Sequence, residues 1–125
     1  MNPILRNGID MIEIDRVDTA MNRQGEKFLN RIFTPQELLD CDGKVESLAA
    51  RFAAKEATAK ALGCGIGKVS WQEIEISKNS DNQPEIILHG EASNIADSLN
   101  LRIWSISLSH SKHTAIAMVV AFGIR

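Results

Sequence analysis

The sequence predicts an α+β fold in which a mainly antiparallel sheet packs on one long central helix. Two stretches carry that expectation. Residues 47–62 hold a run of strong helix formers between a start signal and a stop signal. After residue 70 the apolar pattern switches to the period of two that marks strands. The elements run strand, helices, hairpin, helix and second hairpin, with no internal repeat and no low-complexity segment. One domain spanning residues 1–125 is expected.

Ile4 to Ile14 reads as the first strand, with Ile9, Met11, Ile12 and Ile14 as its apolar weight. Asp10 interrupts it. Aspartate has low β propensity and resists burial. It either ends the strand, accepting backbone hydrogen bonds, or is held for chemistry. Asp15 reads as the N-cap of a first helix, with Asp18 in its first turn. That helix runs to about Gln24 and is closed by Gly25. Arg16, Arg23 and Lys27 recur at intervals of seven and four, on one helical face. Such a stripe is either a solvated face or a docking surface for an acidic partner.

Phe28, Leu29, Ile32 and Phe33 form a short amphipathic segment. Thr34-Pro35-Gln36-Glu37 is a helix start: Thr34 caps, Pro35 suits the first helical position, and Glu37 completes a capping box. Cys41 to Lys44 ends this short helix. The central helix follows, with Ser47 as N-cap and Gly63 as stop. Its apolar stripe is Leu48, Phe52, Ala59 and Leu62, with Glu56 on or beside the stripe and Lys60 one turn on. Glu56 and Lys60 read as a surface pair worth about 0.3–0.5 kcal/mol, or as a carboxylate kept at the rim of the core for a cation. An unpaired buried carboxylate costs several kcal/mol and needs a partner.

Gly63-Cys64-Gly65-Ile66-Gly67 offers free backbone N–H groups and close approach to a ligand. It is not a Walker loop, because the helix precedes it. A C-capped connecting loop is the simpler reading. Glu73 to Ser77 alternates as a half-buried strand, and Glu85 to His89 returns from the turn at 78–84 to make a hairpin. Ser70 to Glu73 matches a capping box, but no helical stripe follows, so no helix is expected there. Glu91 to Leu99 is a short helix ended by Asn100. Trp104, Ile106 and Leu108 alternate with serines. Residues 109–113 form a turn, and Thr114 to Phe122 is nearly all apolar, as for a strand buried on both faces.

Composition narrows the function classes. Net charge is −2, so nothing draws the whole chain to nucleic acid or an anionic membrane. Cys41 and Cys64 form no CxxC pair, so neither a disulfide framework nor a zinc site is implied. The first residues lack a signal-peptide h-region, and no apolar run approaches the roughly 20 residues of a membrane span. A cytoplasmic location is expected. His89, His110 and His113 make no HExxH, and there is no GxSxG. Ser109 and His110 are adjacent, which triad members facing each other seldom are. The oxygen pair Asp10 and Glu56 suits a hard cation such as Mg2+, and Lys60 could bind the same phosphate. That is a layout for phosphoryl transfer.

Gly8-Ile9-Asp10 followed by Phe52-Ala53-Ala54-Lys55-Glu56-Ala57-Thr58-Ala59-Lys60 resembles the signature of the 4′-phosphopantetheinyl transferase superfamily. The short length, Arg31 to Glu37, the Gly63-to-Gly67 loop and Ser107 to Ser111 are similar to its short bacterial branch. The resemblance implies transfer of the phosphopantetheine arm of coenzyme A to a serine of apo acyl carrier protein, releasing 3′,5′-ADP. It implies that Asp10 and Glu56 hold Mg2+ and that Lys60 neutralises phosphate charge. It further implies that Gly63 and Gly65 lie along the coenzyme, and that Lys44 and Arg51 meet its 3′-phosphate. Ser109 and His110 are implied to come from a neighbouring subunit of a homotrimer. Arg16, Met21, Arg23 and Gln24 are implied to dock the carrier protein. Cys64 departs from the threonine that many relatives carry. The general base is left open between Glu56 and ionisation of the serine in the field of the metal. Two rival readings are a non-catalytic coenzyme or nucleotide module and a metal-dependent phosphate-ester hydrolase.

Overall fold

The computed structural model describes residues 1–125. The N-terminal strand β1 (Pro3–Glu13) is followed by four helices: α1 (Ile14–Gln24), α2 (Glu26–Ile32), α3 (Pro35–Cys41) and α4 (Val45–Leu62). Then come a 3₁₀ turn at Trp71–Glu73, the hairpin β2 (Ile74–Lys78) and β3 (Pro84–Leu88), and α5 (Gly90–Ser98). The hairpin β4 (Ile103–His110) and β5 (Thr114–Ile124) ends the chain. The strands form two antiparallel sheets, β1-β5-β4 and β2-β3. No helix is long and apolar enough to cross a membrane.

β1 must cross the whole chain to pair with β5, in a register that sets Asp10 opposite Ala117. Strand alternation turns Arg6, Gly8, Asp10 and Ile12 inward, onto α4. Ala115, Ala117, Val119 and Ala121 of β5 meet the same helix. Small residues on both sides let helix and sheet approach closely. A Cβ on Gly8 would lie 1.8 Å from the Ala57 carbonyl oxygen. Only glycine fits there, and its fit brings the next inward residue, Asp10, to the α4 surface.

α4 is not a one-stripe amphipathic helix. Sheet, α1, α3, α5 and β2 all pack on it, so Ala49, Ala50, Ala53, Ala54, Lys55 and Thr58 are buried as well as Leu48 and Leu62. Its cap differs from expectation too. The left-handed residues Asp42 (φ 49°) and Gly43 (φ 72°) turn the chain back at once, so Lys44, and not Ser47, is the N-cap. α1 likewise starts two residues early, capped by Glu13, with Asp15 in its first turn. The Thr34–Glu37 capping box forms as predicted: Glu37 N–H donates to Thr34 Oγ1 at 3.2 Å, and Thr34 N–H donates to Glu37 Oε1 at 2.8 Å. The dismissed signal at Ser70 is real, because Ser70 N–H donates to Glu73 Oε1 at 2.7 Å and starts the 3₁₀ turn.

β5 is buried on one face only. Its outward row belongs to a wider face that includes Leu5, Ile9, Met11, Ile103, Met118 and Ile124, each a large apolar side chain exposed by 48–69%. Ser109 and His110 finish β4 and do not lie in the turn.

Candidate functional site

Asp10 and Glu56 line one cleft of about 380 Å3. Three elements build it. β1 supplies Asp10, Met11 and Ile12, α1 supplies Arg16, Val17 and Ala20, and α4 supplies Phe52 and Glu56, with Phe28 of α2 beneath. Phe52 and Glu56 are one turn apart, so one helix face presents an aromatic wall and a carboxylate together. Six of its nine lining residues are apolar, and Asp10, Arg16 and Glu56 bring three charges among them.

The two carboxylates repel each other. Burial pushes the Glu56 carboxyl above its ordinary value, the Asp10 charge pushes it further, and Lys60 pulls it back. Glu56 has no hydrogen-bond donor from the protein, whereas Lys60 Nζ reaches Asp10 Oδ1 at 3.2 Å and donates to the Ile9 carbonyl at 2.9 Å. β1 is an edge strand, and Lys60 lies over that edge. No third His, Cys, Asp or Glu joins the pair. Two oxygen donors with no nitrogen or sulfur fit Mg2+, which binds through one or two carboxylates and takes the rest from phosphates and water.

The remaining sequence-predicted residues divide. Arg16 lines the cleft and is exposed. Met21 is half-buried further along α1, while Arg23 and Gln24 are exposed at its end; none of the three lines the cleft. Gly63 (φ 79°) is the αL stop of α4, and Gly65 (φ 71°) follows in the half-buried loop. Lys44 is exposed at the opposite end of α4, roughly 28 Å from Gly63 at 1.5 Å per residue. His110 shares a shallow cleft with Val45 and Glu46, at the Lys44 end, and Ser109 is exposed on the outward face of β4. One protomer therefore does not gather the expected coenzyme residues in one place.

Arg51 lies apart from the cleft. It is 7% exposed, its Nε donates to the Ile76 carbonyl at 3.3 Å, and it lines no cavity. It ties α4 to β2, because burying the guanidinium demands an acceptor and the hairpin backbone provides one.

Two further features lay outside the expectations. The cleft floor (Met11, Ile12, Val17, Ala20, Phe28) reads as ordinary core until the elements are assembled. Lys55 is fully buried, 2.8 Å from the equally buried Glu37. The available signal was a lysine whose neighbours one turn away on the helix, Arg51, Phe52, Thr58 and Ala59, include no acidic partner.

A carboxylate pair on a strand and a helix, with a lysine one turn on, is compatible with phosphoryl-group transfer. The family model of the 4′-phosphopantetheinyl transferase superfamily matches residues 6–117. The chain belongs to that superfamily and is a phosphopantetheinyl transferase enzyme. It is 46% identical over 127 residues to the holo-[acyl-carrier-protein] synthase of Herpetosiphon aurantiacus, covering 96% of this chain and 100% of that one. It is 50% identical over 118 residues to that of Dehalococcoides mccartyi, covering 94% and 98%. The crystal structure of Helicobacter pylori holo-[acyl-carrier-protein] synthase in complex with coenzyme A superposes with a TM-score of 0.85 at 41% identity, covering 92% and 98%.

Proposed function

We propose that this chain transfers the 4′-phosphopantetheine arm of coenzyme A to a serine hydroxyl of apo acyl carrier protein and releases 3′,5′-ADP. The observation that carries the reading is that Asp10 and Glu56 line one cleft while Lys60, lining a neighbouring hollow, reaches the same Asp10. The relatives' names and the coenzyme-bound neighbour support the donor and the acceptor.

Asp10 and Glu56 would hold Mg2+, which when bound neutralises pyrophosphate charge. Lys60 is exposed enough to turn from Asp10 towards a phosphate oxygen, and it supplies a second positive charge. The serine oxygen forms a bond to the phosphorus that carries the arm, the bond from that phosphorus to 3′,5′-ADP breaks, and the serine proton leaves. That proton would leave to Glu56 or to solvent. Arg16 at the cleft and Arg23 at the end of α1 offer positive charge to an acidic acceptor.

The active unit is a homotrimer in this reading. An uncovered apolar sheet face marks a protein contact, and Ser109, opposite Ile116, stands on the same outward face as Met118 and Ile103. Its burial against a second copy would bring Ser109 and His110 near a neighbour's cleft. The cytoplasm, where the two free cysteines stay reduced, is the expected compartment.

The test is direct. The protein is incubated with coenzyme A, Mg2+ and an apo acyl carrier protein, and the carrier is weighed intact. A gain of one phosphopantetheine arm, lost on chelation and lost in Asp10→Ala, is expected. No gain with coenzyme A still bound would favour a binding module.

A further inference from the structure

Lys55 belongs to the helix motif that marks this family, yet it never reaches the cleft. Its Nζ is fully buried, bonded to Glu37 at 2.8 Å and to the carbonyls of Trp71 (3.0 Å) and Ile74, and it lies 5.8 Å from the centre of the Phe33 ring. Glu37 in turn accepts from Ile76 N–H at 2.8 Å and from Thr34 N–H at 2.8 Å. One ion pair thus locks α3, α4, the 3₁₀ turn and β2 together. A buried pair is seldom kept for stability, because desolvation offsets most of its attraction.

The 3₁₀ turn leads back to the cleft. The Trp71 ring lies 4.6 Å from the Phe52 ring at 33°. Phe52 walls the cleft and Trp71 does not line it. Phe52 is half-buried and leans on the indole behind it. Val17, Ala20 and Phe28 line the same cleft as Phe52, and Arg16 stands there too. An apolar side chain on an acidic protein fits that combination, while a pyrophosphate belongs with Lys60 and the carboxylates.

We propose that Trp71 is a positioning residue for the protein acceptor: held at its carbonyl by the buried Lys55–Glu37 pair, it seats the Phe52 wall against which the acceptor packs. The inference rests on the transfer reading above for its substrate.

Trp71→Leu should raise KM for acyl carrier protein about tenfold and leave KM for coenzyme A and kcat within about threefold. An unchanged acceptor KM, or equal rises for both substrates, overturns the proposal. The double variant Lys55→Met/Glu37→Gln removes both charges at similar volume, which folds tolerate better than one orphaned charge. It should show the same split, with no further rise when Trp71→Leu is added; additive losses overturn it. The chain has two tryptophans, so in Trp104→Phe only Trp71 emits. In that background the double variant should shift emission to the red as the indole leaves Phe52. Unchanged emission overturns the positioning claim whether or not the wild type modifies a carrier, whereas a wild type that modifies none sinks the transfer reading and leaves emission to judge Trp71.

Discussion

Lys60 reaches from α4 over the open edge of β1 to Asp10, with Nζ 3.2 Å from Oδ1 and 2.9 Å from the Ile9 carbonyl oxygen. Both side chains are partly solvated, 53% and 23% exposed, so the pair belongs to the weak surface class worth about 0–1 kcal/mol. Its value lies in what it holds in place. Lys60→Ala should change stability by less than about 1 kcal/mol in urea unfolding. It should lower kcat by about 10²–10³, the usual loss on removing one preorganised charge. A large fall in stability with normal turnover would reverse that assignment.

Glu56 carries a raised folded pKa, mainly through burial and secondly through Asp10. The sign follows: the folded state binds its proton first, so ionised Glu56 costs stability above the folded pKa, and that cost vanishes as pH falls below the ordinary value of 4.5. Glu56→Gln should therefore raise Tm at pH 7, with the gain fading towards pH 4, while turnover is lost. Mg2+ should raise the wild-type Tm and leave the variant's nearly unchanged. A variant less stable than wild type at pH 7 contradicts the repulsion.

Gly8→Ala tests the seam that sets Asp10. The new methyl would meet the Ala57 carbonyl oxygen at 1.8 Å and its carbon at 2.8 Å, both backbone atoms that cannot rotate away. A loss of about 1–3 kcal/mol or more is expected from overpacking, with a fall in kcat because Asp10 moves with β1. Urea unfolding and single-substrate kinetics read the two effects separately.

Arg16→Glu places a negative charge at the cleft without touching the carboxylate pair. KM for the carrier protein should rise about tenfold or more, and KM for coenzyme A should change little. The effect should shrink at high salt, since screening weakens exposed charges. Equal rises for both substrates would remove α1 from the docking surface.

Met118→Glu sets a charge in the middle strand of the uncovered sheet face, opposite Ile9 on one side and Ser107 on the other. If that face joins copies of the chain, light scattering will show the wild type as a trimer and the variant as a smaller species. Activity should fall with assembly. An active monomer would separate the chemistry from the interface.

Local chemistry was legible where neighbours along the chain decide it. Thr34 and Glu37 cap α3 because their partners are three residues apart. Gly63 stops α4 because only the local backbone must turn left-handed. Asp10 and Glu56 stood out because a carboxylate in an apolar run violates its own segment's preference. The burial of Arg51 was not legible, because a helix position does not say which neighbour covers it, and here the carbonyl of Ile76 does. Ser70 and Glu73 misled: three residues suffice for a 3₁₀ turn, which leaves no stripe to see.

The sequence by itself determined the α+β class, the order of the elements, the capped helix start at Thr34, and the pair of carboxylates at the candidate site. These follow from backbone propensity and side-chain period, which act over a few residues. The tertiary structure decided that Gly8 meets Ala57, that Lys55 finds Glu37 and the Trp71 carbonyl, that Phe52 leans on Trp71, and that one face of β1-β5-β4 stays bare. Each of those depends on which distant segments pack together, and packing is settled by the fit of whole surfaces, not by any local signal.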